Sequence, residues 1–154
     1  MFALISPAGG DQIIGFSASG RAPAKLDAGV LRSRGMATVG TEDVHSITVP
    51  GAIDGFCRLA EDWGKAGLAA SLAPAIRYAE EGVPVGPRTA FDWRNAAHRL
   101  SGDGARHYLN DGAPFELGDL FKAPGQAEVL RRVAEQGRDG FYGGQVPENR
   151  RTHV

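Results

Sequence analysis

Few side chains in this chain stand where they could do chemistry. Arg21, with Ser19 two residues before it, lies in the irregular stretch SGRAPAK at Ser19 to Lys25. By residue type alone Arg21 reads as a solvated loop arginine, and the fork of a guanidinium, which pairs bidentately with a carboxylate, is the chemistry such a side chain has available. His45 and Ser46 precede the turn Pro50-Gly51 and could line a pocket, although a structural hydrogen bond from His45 is the expected role. His45, His98, His107, His153 and Cys57 show no metal-ligand spacing, so no metal and no cofactor are expected. Cys57, the one cysteine, falls inside an amphipathic pattern and reads as a small core residue. Asp54 near the start of a helix complements the helix dipole. Glu80 and Glu81 are adjacent, point apart, and read as a solvated helix end rather than an acid/base pair. Ser101-Gly-Asp-Gly104 is expected to be a loop, because no strand precedes it and it lacks the Lys and Gly spacing of a phosphate cradle. Trp63, Trp93, Phe141 and Tyr142 are expected to pack.

The elements that must position these residues follow from the hydrophobic pattern. Phe2 to Ile5, a Gly-Gly turn, and Ile13 to Phe16 predict a β-hairpin. Leu26, Val30 and Leu31 predict a short helix within Lys25 to Arg34. His45 to Val49 alternates polar and β-branched residues and predicts an extended segment. Ala52 to Trp63 predicts a helix with Ile53, Phe56, Leu59, Ala60 and Trp63 on one stripe. Leu68 to Glu81 predicts a second, with Leu68, Leu72, Ala75, Ile76 and Ala79 as its face. Pro74 places the start of that helix near an N-capping Ser71. Gly82 closes it, and Val83-Pro84-Val85 is extended. Pro87 to Leu100 and the helix from Pro124 to Gly137 complete the pattern, the latter with Val129, Leu130, Val133 and Ala134 inward. Phe141 to Gly144 reads as an aromatic turn.

Bulk properties exclude several classes. The chain has 154 residues, 42% hydrophobic and 23% charged, which suits one folded domain. A net charge of -1 gives no electrostatic case for nucleic acid or an anionic membrane. No apolar run approaches the roughly 20 residues of a membrane span. The first residues lack a basic segment before a very short apolar run, so a cytoplasmic location is expected, with a periplasmic parent left open. Helix stripes outnumber strands, so the hairpin and helix faces are expected to have been shaped to cover a sheet outside this chain.

Four stretches, in order, resemble the large subunit of the gamma-glutamyltransferase family of N-terminal-nucleophile hydrolases. They are SGRAPAK at Ser19 to Lys25, HSITVPGAIDGF at His45 to Phe56, LAPAIRYAEEGVPV at Leu72 to Val85, and AEVLRRVAEQGRDGFYGGQV at Ala127 to Val146. The resemblance implies an α/β fold class, a piece of a four-layer αββα sandwich that is here mainly helical with an N-terminal β-hairpin. It implies a partial large-subunit domain over residues 1–146 and a frayed tail over 147–154. It implies acyl transfer from a small amide, glutathione-like or related, to water or an amino acceptor. The nucleophile would be a threonine freed at the start of a small subunit, its own amine acting as base. That small subunit is expected beyond Val154, and the family's first helix and Gly-rich entry before Met1. The chain by itself is then expected to have no catalytic residue. Thr152-His153, preceded by two arginines, is read as a chance match to the family's Thr-Thr-His pattern.

The resemblance also gives Arg21 and Ser19 a substrate-binding role, because the family uses an arginine after this hairpin to clamp the substrate's carboxylate. The strict transpeptidase pattern is Arg-Glu-x-Ala-Pro. Here the sequence is Ser19-Gly20-Arg21-Ala22-Pro23, with the arginine displaced by two residues and Ser19 in its place. The departure suits acylase or amidohydrolase-like members. An inert helical piece or an interaction module is the alternative reading of the polypeptide itself.

Overall fold

A computed structural model describes residues 1–144, so the expected tail and the Thr152-His153 pair lie outside the described residues. The described chain is mainly helical with an N-terminal hairpin, a mixed α/β composition. Its contacts divide it at Lys65 and Ala66 into two compact units.

The first unit begins with β1 (Phe2–Ile5) and β2 (Ile14–Ser17), paired antiparallel with Phe2 opposite Ser17 and Ile5 opposite Ile14. The turn is closed by the Gly10 N–H on the Pro7 carbonyl at 3.1 Å. Alternation divides the hairpin's faces. Ala3, Ile5, Ile14 and Phe16 are half-buried, whereas Phe2 and Leu4, across from Ser17 and Gly15, are 78% and 80% exposed. Helix α1 (Ala28–Ser33) is a short version of the expected helix, capped by the Asp27 carboxylate on the Val30 N–H. Helix α2 (Ala52–Asp62) lies on the half-buried side. Gly55 is against Ala18, Met1 and Phe16, and the Phe16 ring meets Trp63 edge-on with centroids 6.4 Å apart. Its expected stripe is only partly covered. Gly55 and Cys57 at its flanks are buried, while Phe56 and Trp63 in its middle keep 42% and 37% of their exposure.

The second unit is built on α3 (Gly67–Glu81) and α6 (Pro124–Gln136), which pack along each other. Leu68, Leu72, Ile76 and Ala79 of α3 turn inward; Ala127 and Val133 of α6 are fully buried, and Arg131 pairs with Glu80 across the contact. The chain leaves α3 through Gly82, whose φ of 100° and close approach to the Leu120 side chain (2.6 Å from where a β-carbon would stand) both require glycine. β3 (Val83–Pro84) then pairs antiparallel with β4 (Leu120–Phe121). Between them run α4 (Pro87–Ala96), a 3-10 turn at Ala97–Arg99, and α5 (Gly102–Tyr108). Trp93, Phe115 and Phe121 form a ring cluster with centroids 4.9 to 5.3 Å apart, and the Trp93 Nε1–H donates to the Tyr108 carbonyl at 2.7 Å. The last element is α7 (Asp139–Tyr142), with Phe141 buried.

Five expectations need correction. The extended reading of His45 to Val49 fails at its start, because the Asp43 carboxylate caps a 3-10 turn at Val44–Ser46. Ala75, assigned to the inner face of α3, is exposed, because it falls outside the arc that meets α6. Ser71 does not cap α3; it lies a turn inside, its hydroxyl donating back to the Gly67 carbonyl at 2.8 Å, and the helix runs through Pro74. The stretch from Ser101 is no loop; it starts α5, with the Ala105 N–H on the Ser101 carbonyl at 3.2 Å. The aromatic turn at Phe141 is a helical turn, made possible because Gly140 lies against the Arg132 carbonyl where a β-carbon would overlap it.

Candidate functional site

The Ser19–Arg21 loop is the place where exposed chemistry and a fixed backbone meet. The hairpin ladder extends one pair beyond its strands, with Ala18 N–H on the Met1 carbonyl at 2.9 Å and the Met1 amine on the Ala18 carbonyl at 3.0 Å. Ala18 is buried, and the loop leaves from this anchored point. Three residues later the Arg21 carbonyl accepts the Val49 N–H at 2.9 Å. The loop backbone therefore lies on the segment Thr48 to Gly51 that enters α2. Ser19 and Arg21 are both exposed, and among the described residues Arg21 makes no ion pair. A guanidinium with an ordered backbone and no internal carboxylate partner is free to receive an external one.

His45 does make a structural hydrogen bond. Its ring Nδ1 is 2.6 Å from the Asp43 Oδ1, which also accepts the His45 backbone N–H at 2.8 Å. These bonds, the backbone one foremost, hold the Asp43 carboxyl below its ordinary value. The Ser46 hydroxyl donates to the carbonyls of Thr41 and Asp43, at 3.2 and 2.7 Å, so it is spent on the turn. Asp43, His45 and Ser46 thus contain the residue types of a nucleophilic triad without its connectivity. Asp two residues before His is a legible signal for this capped turn.

The remaining sequence candidates are dispersed. Cys57 is 2% exposed inside α2. Glu80 is engaged with Arg131, and Glu81 faces solvent. Among the described residues no three His, Cys, Asp or Glu side chains come together as a metal site. The second unit holds a cavity of about 430 Å³, lined in part by Tyr108, Phe121, Lys122, Val129 and Phe141, which sequence pattern did not indicate because its walls come from α5, β4, α6 and α7. It does not involve Ser19 or Arg21.

Comparison with known proteins gives this loop its context. A family model described as gamma-glutamyltranspeptidase matches residues 1–152. The chain belongs to the gamma-glutamyltranspeptidase family. The gamma-glutamyltranspeptidase of Helicobacter pylori superposes with a TM-score of 0.87 at 26% identity, covering 97% of this chain and 44% of that one. A cephalosporin acylase from Bacillus halodurans also superposes with a TM-score of 0.87, at 34% identity, covering 98% of this chain and 30% of that one. Among curated proteins, the capsule biosynthesis protein CapD proenzyme of Bacillus anthracis is 30% identical over 107 residues, which is 70% of this chain and 20% of that protein. The chain spans about a fifth of the length of the curated relatives it matches. Family membership rests on nearly the whole chain, including the Arg21 loop and the α3 region that carried the resemblance in sequence. Among the described residues no helix is long and apolar enough to cross a membrane.

Proposed function

We propose that this chain supplies part of the large subunit of a gamma-glutamyltranspeptidase-family enzyme that cleaves a small amide and passes the acyl group to water or an amine. In this reading the hairpin and helices belong to an αββα sandwich. Phe2, Leu4, Phe56 and Trp63 are exposed because the cover they were shaped for is the rest of that sandwich, the small subunit included. The nucleophilic threonine belongs to the small subunit, and this chain contributes recognition of the acyl donor.

The Ser19–Arg21 loop carries the proposal. Its guanidinium is exposed and without an ion-pair partner among the described residues, on a loop fixed by backbone bonds at both ends. It would pair with a carboxylate of the donor, while Ser19 offers a hydroxyl. Because the arginine is displaced from the transpeptidase pattern, its charge meets a donor whose carboxylate lies differently from that of a gamma-glutamyl group. Similarity to the cephalosporin acylase, higher in identity than that to the Helicobacter pylori transpeptidase, supports an acylase or amidohydrolase-like donor. The reading is tested with the protein encoded by the whole reading frame. It should hydrolyse an acyl anilide bearing a terminal carboxylate faster than the gamma-glutamyl anilide, and mass spectrometry should find the trapped acyl group on an N-terminal threonine. Acylation of any other residue would overturn the mechanism, and a preference for the gamma-glutamyl donor would overturn the acylase assignment.

A further inference from the structure

Three glycines surround the base of the Ser19–Arg21 loop, and each one is where a side chain would not fit. A β-carbon at Gly20 would overlap the Val49 carbonyl oxygen and come within 2.7 Å of the Thr48 Oγ1. One at Gly51 would lie 2.7 Å from the Ala18 carbonyl oxygen and 3.1 Å from the Gly20 nitrogen. One at Gly55, in the first turns of α2, would overlap the Ala18 methyl. The φ values of all three are outside the left-handed region, so backbone conformation does not explain their identity. What they share is close approach: the loop lies directly on the Thr48 to Gly51 segment with no side chain between.

We propose that Gly20, Gly51 and Gly55 form a seat that positions Arg21, with Gly20 as the positioning residue for the carboxylate clamp. This rests on the substrate-recognition reading of Arg21 given above. The consequence is geometric. With Gly20 on the Val49 carbonyl, the Arg21 carbonyl meets the Val49 N–H, and the Arg21 Cα is fixed relative to α2. Only the side-chain torsions of Arg21 then remain to be ordered by substrate, and a fixed origin is what makes a bidentate fork selective for one carboxylate position. In Gly20→Ala the backbone must lift from Val49. Its neighbour is a carbonyl rather than a flexible side chain, so the displacement passes to Arg21.

The test uses the protein encoded by the whole reading frame, labelled for NMR, with Gly20→Ala, Gly51→Ala, Arg21→Ala, and Gly15→Ala as control, since a β-carbon at Gly15 meets nothing within 4 Å. Two signals are followed: exchange of the Val49 amide, and the Arg21 Nε–H resonance during titration with glutarate at constant ionic strength. The proposal expects Gly20→Ala to speed Val49 exchange and weaken the glutarate response at Arg21 by about tenfold, since ångström misplacement of a positioning group carries penalties of that order or more. Gly51→Ala does the same to a smaller degree, amides of α2 staying protected in both. Arg21→Ala removes the titrating group and leaves Val49 protected. Val49 protection or an Arg21 response unchanged in Gly20→Ala overturns the seat. If Gly20→Ala also exposes α2, the same two signals in Gly51→Ala decide the matter, wild-type behaviour there overturning the proposal. No glutarate response at Arg21 in the wild type would overturn the recognition reading, and with it the purpose given to the seat, whatever Val49 does.

Discussion

Val133→Ala probes the core of the second unit. Val133 is fully buried in α6, next to Gly140 of α7. Truncation removes two carbon groups from a site with no access to water, a transfer loss of about 1.6 kcal/mol at roughly 0.8 kcal/mol each. If the walls hold, a void of roughly 50 Å³ at ~24 cal/mol per Å³ adds at most about 1.2 kcal/mol. The expected destabilisation is therefore about 2 kcal/mol, or roughly 8 to 16 °C in the midpoint for a unit of this size. The two tryptophans lie one in each unit, so Trp93 fluorescence in a Trp63→Phe background reports the second unit alone. Urea unfolding followed this way should show a lower midpoint with an unchanged slope. Val30→Ala, at a half-exposed position in α1, should shift circular-dichroism unfolding by less than about 0.5 kcal/mol. A Val133→Ala variant within about 0.5 kcal/mol of wild type would refute the burial of Val133 described here.

Other outcomes follow from single residues. The Cys57 thiol, buried in α2, should resist an aromatic disulfide reagent in the folded chain and react promptly in urea; equal rates would show that α2 is not packed. Because its bonds to His45 lower the folded Asp43 pKa, their stabilisation is present above the unfolded value and lost as pH falls through the folded one. The Val44–Ser46 amide shifts should therefore titrate with a midpoint below 3.8 and lose that titration in Asp43→Asn, whereas a midpoint at or above 3.8 contradicts the capped turn. Leu4→Thr combined with Phe2→Thr should lower binding of a hydrophobic dye, at a stability cost under about 0.5 kcal/mol, since both side chains face outward. A large loss of stability would mean that this face is packed.

Local pattern carried much of the fold, and the reasons for the rest are physical. The hairpin, α2 and α6 announce themselves because period and punctuation coincide: Pro7 to Gly10 between two apolar runs, Pro50-Gly51 before a helical stripe, Pro124 and Gly137 around another. The β3–β4 pair was not legible, since Val83 and Phe121 are brought together by the path of three intervening helical segments. Ser101 to Gly104 looks like a breaker by composition, and α5 forms there against local preference, its end tied down by the Trp93 bond to the Tyr108 carbonyl. At the candidate site Arg21 stood out only through the resemblance of its stretch to the family's segment after the hairpin, since a loop arginine by itself reads as solvated. Its support did not, because the importance of Gly20 and Gly51 lies in the approach of two segments far apart in sequence.

The most direct test of the account is the KM of the whole-frame enzyme and its Arg21→Ala variant, measured with an acyl anilide bearing a terminal carboxylate and with its neutral amide analogue. The account predicts that Arg21→Ala raises KM for the carboxylate donor by about tenfold or more with little change in kcat, and leaves the neutral donor unaffected. An equal effect on both donors, or none on either, would contradict a carboxylate-clamping role for Arg21.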